Sequence, residues 1–109
     1  ELRGRVMTML SMRAMLGLGA NEVSDMETTA VGIEWRGESY GLLIDKVGEV
    51  VLLPASGREP NPTNLDRRWS RLSAGVHRLD SQLLVELDLE ALIQDAIRDN
   101  HPGVIAAAA

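Results

Sequence analysis

Ser70, Ser73, His77 and Asp80 are the residue types of a nucleophilic triad, and they fall close together in the chain. A hydroxyl becomes a nucleophile only where an imidazole takes its proton, a carboxylate holds the imidazole, and N–H donors await the oxyanion. No G-x-S-x-G elbow or oxyanion loop accompanies these four, so they read as turn and surface residues. His77 and His101 have no second ligand at metal-site spacing, and the chain has no cysteine to supply a thiolate. Gly37, Gly41 and Gly48 lack the spacing of a phosphate-cradling loop that opens a helix. Glu86, Asp88 and Glu90 alternate along a strand leading into a helix and read as a solvated face, with Asp88 as the helix cap. No metal, cofactor or catalytic role is expected.

A chain without a reaction centre acts through its surfaces, and composition limits which partners those surfaces suit. The 109 residues fit one domain, or one domain lacking a piece, and 45% of them are hydrophobic. Phe is absent, Trp is two and Tyr is one, so Leu, Val, Ile and five Met must fill the interior. The formal net charge of -5 repels phosphate backbones, and only Arg67, Arg68 and Arg71 approach a basic cluster, so nucleic acid is not an expected partner. The lack of cysteine suits a reducing compartment. No window of about 18 uncharged apolar residues is present to cross a membrane. The apolar opening, interrupted by Arg3, Arg5, Thr8, Ser11 and Arg13, does not read as a signal peptide.

Patterning along the chain points to short strands and short helices. Residues 2–10 suit a strand, and residues 12–19 a short helix ended by Gly17 or Gly19. A polar connector over 21–28 precedes a β-hairpin over 28–45, turning at Arg36-Gly37-Glu38. Residues 46–54 read as a third strand closed by Pro54, and 55–64, with Gly57, Pro60 and Pro62, as an extended loop. Residues 65–72 suit a helical turn or an exposed loop anchored by Trp69. A second hairpin follows Gly75, with its turn at Asp80-Ser81, and then an amphipathic helix over 89–100. The tail from His101, broken by Pro102, reads as frayed.

Residues 2–16 laid over residues 79–93 without a gap superpose Leu2, Leu10 and Ala14 on Leu79, Leu87 and Ala91, and Met15 and Leu16 on Leu92 and Ile93. Both copies spell turn, strand, small polar residue, helix, the pattern of an internal repeat. A hairpin and a third strand precede the second copy, whereas one residue precedes the first. The opening 2–18 carries nine apolar side chains, so a cover is expected for it: a preceding segment, or a second chain exchanging strands.

Leu2-Arg3-Gly4, the run from Gly41 to Val50 (GLLIDKVGEV) and the run from Leu83 to Leu92, in this order, resemble the CheW-like domain of bacterial chemotaxis. The resemblance covers residues 2 to about 94 and departs from the family pattern at Thr8, where Pro is common, and at Ser11, where Asp is common. Ser11 keeps the capping chemistry of that Asp. The fold it implies is mainly β: two SH3-like five-stranded barrels with short helices, the first incomplete here, with roughly fifty more residues ahead of the Leu-Arg-Gly (an extent set by the repeat offset). The expected division is 2–19 as the remainder of the first barrel, 26–94 as the second barrel plus helix, and 95–109 as a tail.

The function the resemblance implies is that of a non-catalytic adaptor, cytoplasmic and located at receptor arrays beneath the inner membrane. Its partners would be the regulatory domain of the histidine kinase CheA and the cytoplasmic tips of methyl-accepting chemoreceptors, with self-association or strand exchange also open. Arg3, Asp45, Val47, Glu49 and Val50 match family positions associated with partner contact, although Val47 and Val50 could equally be core. Gly41 is read as letting two backbones approach, Trp35 as half-exposed packing, and Trp69 as a possible anchor. Two alternatives stay open: a CheW-like regulatory domain of a CheA kinase or of a fused coupling protein, and a generic SH3-like peptide-binding module. The second asks for clustered aromatics that three aromatic residues do not provide.

Overall fold

Strand β1 (Met7–Ser11) ends where its last residue becomes a helix cap. In the computed structural model, which describes residues 7–19, 29–98 and 104–108, Ser11 Oγ accepts a hydrogen bond from the Ala14 N–H at 3.2 Å and opens α1 (Met12–Met15). One turn later, Gly17 at φ 74° closes the helix, with Leu18 N–H donating to the Arg13 carbonyl and Gly17 N–H to the Ala14 carbonyl. The expected cap and stop are both in place.

Strands β2 (Thr29–Trp35) and β3 (Glu38–Ile44) form the expected first hairpin around Arg36 and Gly37, both at positive φ. That is the turn whose twist matches a tight hairpin. β3 then pairs in parallel with β1, from Met7 opposite Ser39 to Ser11 opposite Leu43. On its other edge, β1 pairs antiparallel with the C-terminal β6 (Val104–Ala108), giving the sheet order β2-β3-β1-β6. Leu10, Met12, Met15, Tyr40, Leu42 and Ala96 are the buried apolar residues of this unit, which comprises residues 1–48 and 94–109.

The second unit, residues 49–93, is built on the other hairpin. α2 (Arg67–Leu72) starts at Asp66, whose Oδ1 accepts from Arg68 N–H at 2.8 Å and Trp69 N–H at 3.3 Å. It leads directly into β4 (Ser73–Leu79), which turns through Asp80 at φ 53° into β5 (Gln82–Leu87). The loop before α2 is tied to β4 rather than free. Glu59 and Val76 exchange two backbone hydrogen bonds, and Ser73 Oγ donates to Asn61 Oδ1 at 2.7 Å. Asp88, as expected, caps α3 (Leu89–Arg98) by accepting from Ala91 N–H at 3.1 Å. Leu72, Val76, Leu92 and Ile93 form the apolar core here.

Two expectations are corrected. Residues 46–54 do not form a third strand. β1 turns into a helix after Ser11, opposite Leu43, and the described part of β2 begins at Thr29 opposite Ile44. The chain past Asp45 therefore has no strand to pair with among the described residues, despite its β-branched composition. The tail is not frayed over 104–108: the free edge of β1 offers a row of unpaired N–H and C=O groups, and the small-residue tail satisfies them. The same pairing lays the chain's own C-terminal strand along one edge of β1, in one sheet with β2 and β3.

Candidate functional site

The triad candidates are engaged in holding the second unit together. Ser73 Oγ, besides meeting Asn61, accepts from Gly75 N–H at 2.9 Å and shapes the bulge in β4. His77 is buried, with Nε2 2.8 Å from Glu86 Oε1 across the hairpin. That hydrogen bond lowers the Glu86 pKa below the ordinary glutamate value, helped by the Arg58 guanidinium 3.5 Å away and opposed by partial desolvation. Asp80 sits in the hairpin turn. Among the described residues no three metal-ligating side chains stand together.

The residues expected to bind partners lie differently. Arg3 falls outside the described residues. Asp45 is held by Arg13, whose Nη1 donates to its Oδ2 at 2.9 Å while Nε and Nη2 donate to the Gly19 and Leu18 carbonyls. It thus fixes the bend that ends β3. Val47, Glu49 and Val50 all face solvent, Val47 at 62% and Val50 at 89% exposure, which removes the core alternative for both valines.

Their neighbours continue the pattern. Leu52 is 96% exposed, and Val51 and Leu53 are exposed as well, so Val50–Leu53 is an apolar strip presented to water by the second unit. Leu53 and Ala55 also line a groove of about 560 Å³ with Arg58, His77 and, on β5, Leu84, Val85 and Glu86. Leu52, Leu53 and the β5 wall were not singled out from the sequence, although four consecutive apolar residues between Glu49 and Pro54 were a legible signal.

Three smaller readings are settled. The reading of Gly41 changes: the space a side chain would take there is filled by thioethers, Met9 Sδ at 2.8 Å and Met7 Sδ at 3.0 Å from a notional Cβ, rather than by a second backbone. Trp35 is half-buried, with the Arg36 guanidinium 4.4 Å from its ring centre, as expected for packing at a strand end. Trp69 is half-buried in α2. An apolar strip beside a groove that Arg58 and Glu86 help to line can bind another protein surface.

The family model of the CheW-like domain matches residues 1–97. Among solved structures, the chain is similar to the scaffolding protein TtCheW from Thermoanaerobacter tengcongensis, with a TM-score of 0.68 at 23% identity, a likeness of fold. The match covers 84% of this chain and 58% of that one, so the chain spans little more than half the length of that scaffolding protein. Among curated proteins nothing matches.

Proposed function

The chain belongs to the CheW-like domain family and carries its mainly β fold with short helices, and from that premise we propose that it serves as a non-catalytic adaptor of chemotaxis arrays. In this role it couples chemoreceptor cytoplasmic tips to the regulatory domain of the kinase CheA, in the cytoplasm beneath the membrane that holds the receptors. No helix among the described residues is long and apolar enough to cross that membrane.

The observation that carries the reading is the exposed strip from Val50 through Leu53 of the second unit, at and beside the family-matched positions Glu49 and Val50. A folded domain gains nothing by leaving such side chains in water, whereas burying each against a partner contributes roughly 1.5–3 kcal/mol. Their exposure supports a surface kept for docking. Arg3 supplies a charge in the same family motif set, suited to steering a partner rather than to anchoring it.

Titration of the purified chain against the CheA regulatory domain and a receptor-tip fragment tests this. Val50→Asp places an unpaired charge where a partner removes water, so its affinity for at least one of the two should fall about tenfold or more. Because Val50 is 89% exposed, circular dichroism should be unchanged. Arg3→Glu should weaken binding less, and in a salt-dependent way. Binding of neither partner by the unmutated chain, with the fold intact, would remove the adaptor reading. Undiminished binding by Val50→Asp would remove Val50 from the interface.

A further inference from the structure

Residues 49–53 have the composition of a strand but pair with none among the described residues, and the outer edge of β5 has no neighbour among them either. The strip Val50-Val51-Leu52-Leu53 has the composition of a buried strand, and its backbone makes no ladder hydrogen bond among the described residues. β5 pairs with β4 alone in a two-stranded sheet. Its exposed Leu83 and half-buried Leu84, Val85 and Leu87 carry neither proline nor lysine, the residues that usually protect an edge. The groove beside it touches Leu84, Val85 and Glu86 of β5, His77 of β4, and Leu53 and Ala55 at the end of the strip.

We propose that two copies of this chain associate by reciprocal strand addition, residues 49–53 of each copy pairing with the open edge of β5 in the other. The lengths agree: five residues before Pro54 meet a six-residue strand. Donor and acceptor also lie side by side, since Leu53 lines the same groove as β5. A two-fold axis passing near Leu53 lets both exchanges form at once, which is the self-complementarity an isologous dimer requires. Each exchange satisfies backbone groups on both strands and takes Val50 and Leu52 out of water. A dimer formed this way covers Val50, so self-association and docking of an adaptor's partner compete for one strip.

Sedimentation of the purified chain over a range of concentrations tests the inference without any second protein. The unmutated chain should show a monomer–dimer equilibrium. Val50→Lys with Leu52→Lys should raise its dissociation constant by about tenfold or more, with unchanged circular dichroism because both side chains face solvent. Leu83→Lys on the acceptor edge should do the same. Mixing the donor-blocked and acceptor-blocked proteins should yield a heterodimer, since one of the two exchanges remains possible in the mixed pair. A chain that stays monomeric at all concentrations, or a dimer indifferent to the donor substitutions, overturns the proposal. Amide protection of residues 49–53 in dilute monomer also overturns it, by showing that the strip docks within its own chain.

Discussion

Hairpins β2–β3 and β4–β5 are built alike at the turn and end up in different surroundings. Each turns through two residues, the first a non-glycine at positive φ: Arg36 at 52° and Asp80 at 53°. β3 then has a neighbour on each edge, and Ser39, Tyr40, Gly41 and Leu42 are all buried. β5 has one neighbour among the described residues and not one buried residue. Local turn chemistry thus decides that two strands pair and in what register, while a third strand decides whether the pair becomes core. The second hairpin makes up for its missing neighbour by other means: the loop carrying Arg58 and Glu59 lies against Gly75 and Val76, and His77 is linked to Glu86 across the strands.

Each hairpin holds a glycine at its crowded point, and substituting both is the strongest way to test this contrast. Gly75 has φ 142°, and a Cβ there would stand 2.7 Å from Arg58 Cγ and 2.8 Å from the Glu59 carbonyl oxygen. That carbonyl is fixed by its hydrogen bond from Val76 N–H, so it cannot retreat cheaply. Gly75→Ala should cost about 3 kcal/mol or more in chemical denaturation, combining backbone strain with overpacking. Gly41→Ala meets only the ends of two flexible thioether side chains, at a backbone conformation any residue adopts. Its cost should be about 1 kcal/mol. Equal costs would mean that the loop over the second hairpin is as yielding as a methionine side chain.

What could be read from the sequence follows the same division between local and non-local causes. Ser11 and Asp88 occupy the same place in the two halves of the internal repeat, and both prove to be helix caps. Met15 and Leu92, four residues beyond their caps, are both fully buried. Both hairpin turns were likewise legible, because the residues that make them are adjacent in the chain. The parallel pairing of β1 with β3 was not legible, nor was β6, since each depends on which edge is free once everything else has folded. The misread strand at 46–54 is the inverse case: its composition was strand-like, but it pairs with no strand among the described residues. Val50 is left exposed and begins a strip that extends the candidate site to Leu52 and Leu53, which the sequence alone left unmarked. Arg3 lies outside the described residues, so its place in the site rests on the family motif.

The smallest expected effect concerns the charged link that replaces a third neighbour in the second hairpin. His77 Nε2 donates to Glu86, and this bond, with the Arg58 charge behind it, depresses the Glu86 pKa. A carboxylate whose folded pKa lies below its unfolded value stabilises the fold above the ordinary glutamate range, about 4.3, and loses that contribution as pH falls through the folded value. Glu86→Gln keeps an oxygen for His77 and removes the titration. The stability difference between the unmutated chain and Glu86→Gln should therefore shrink as pH falls through the folded pKa of Glu86, below the ordinary glutamate range. The change is small because Glu86 is 42% exposed and solvent screens much of the interaction. Thermal unfolding of the two proteins at matched pH measures it. A difference that stayed unchanged through the acid range would mean that the link does not depend on the ionised carboxylate. The comparison of the hairpins would then rest on the clamped loop at Gly75 alone.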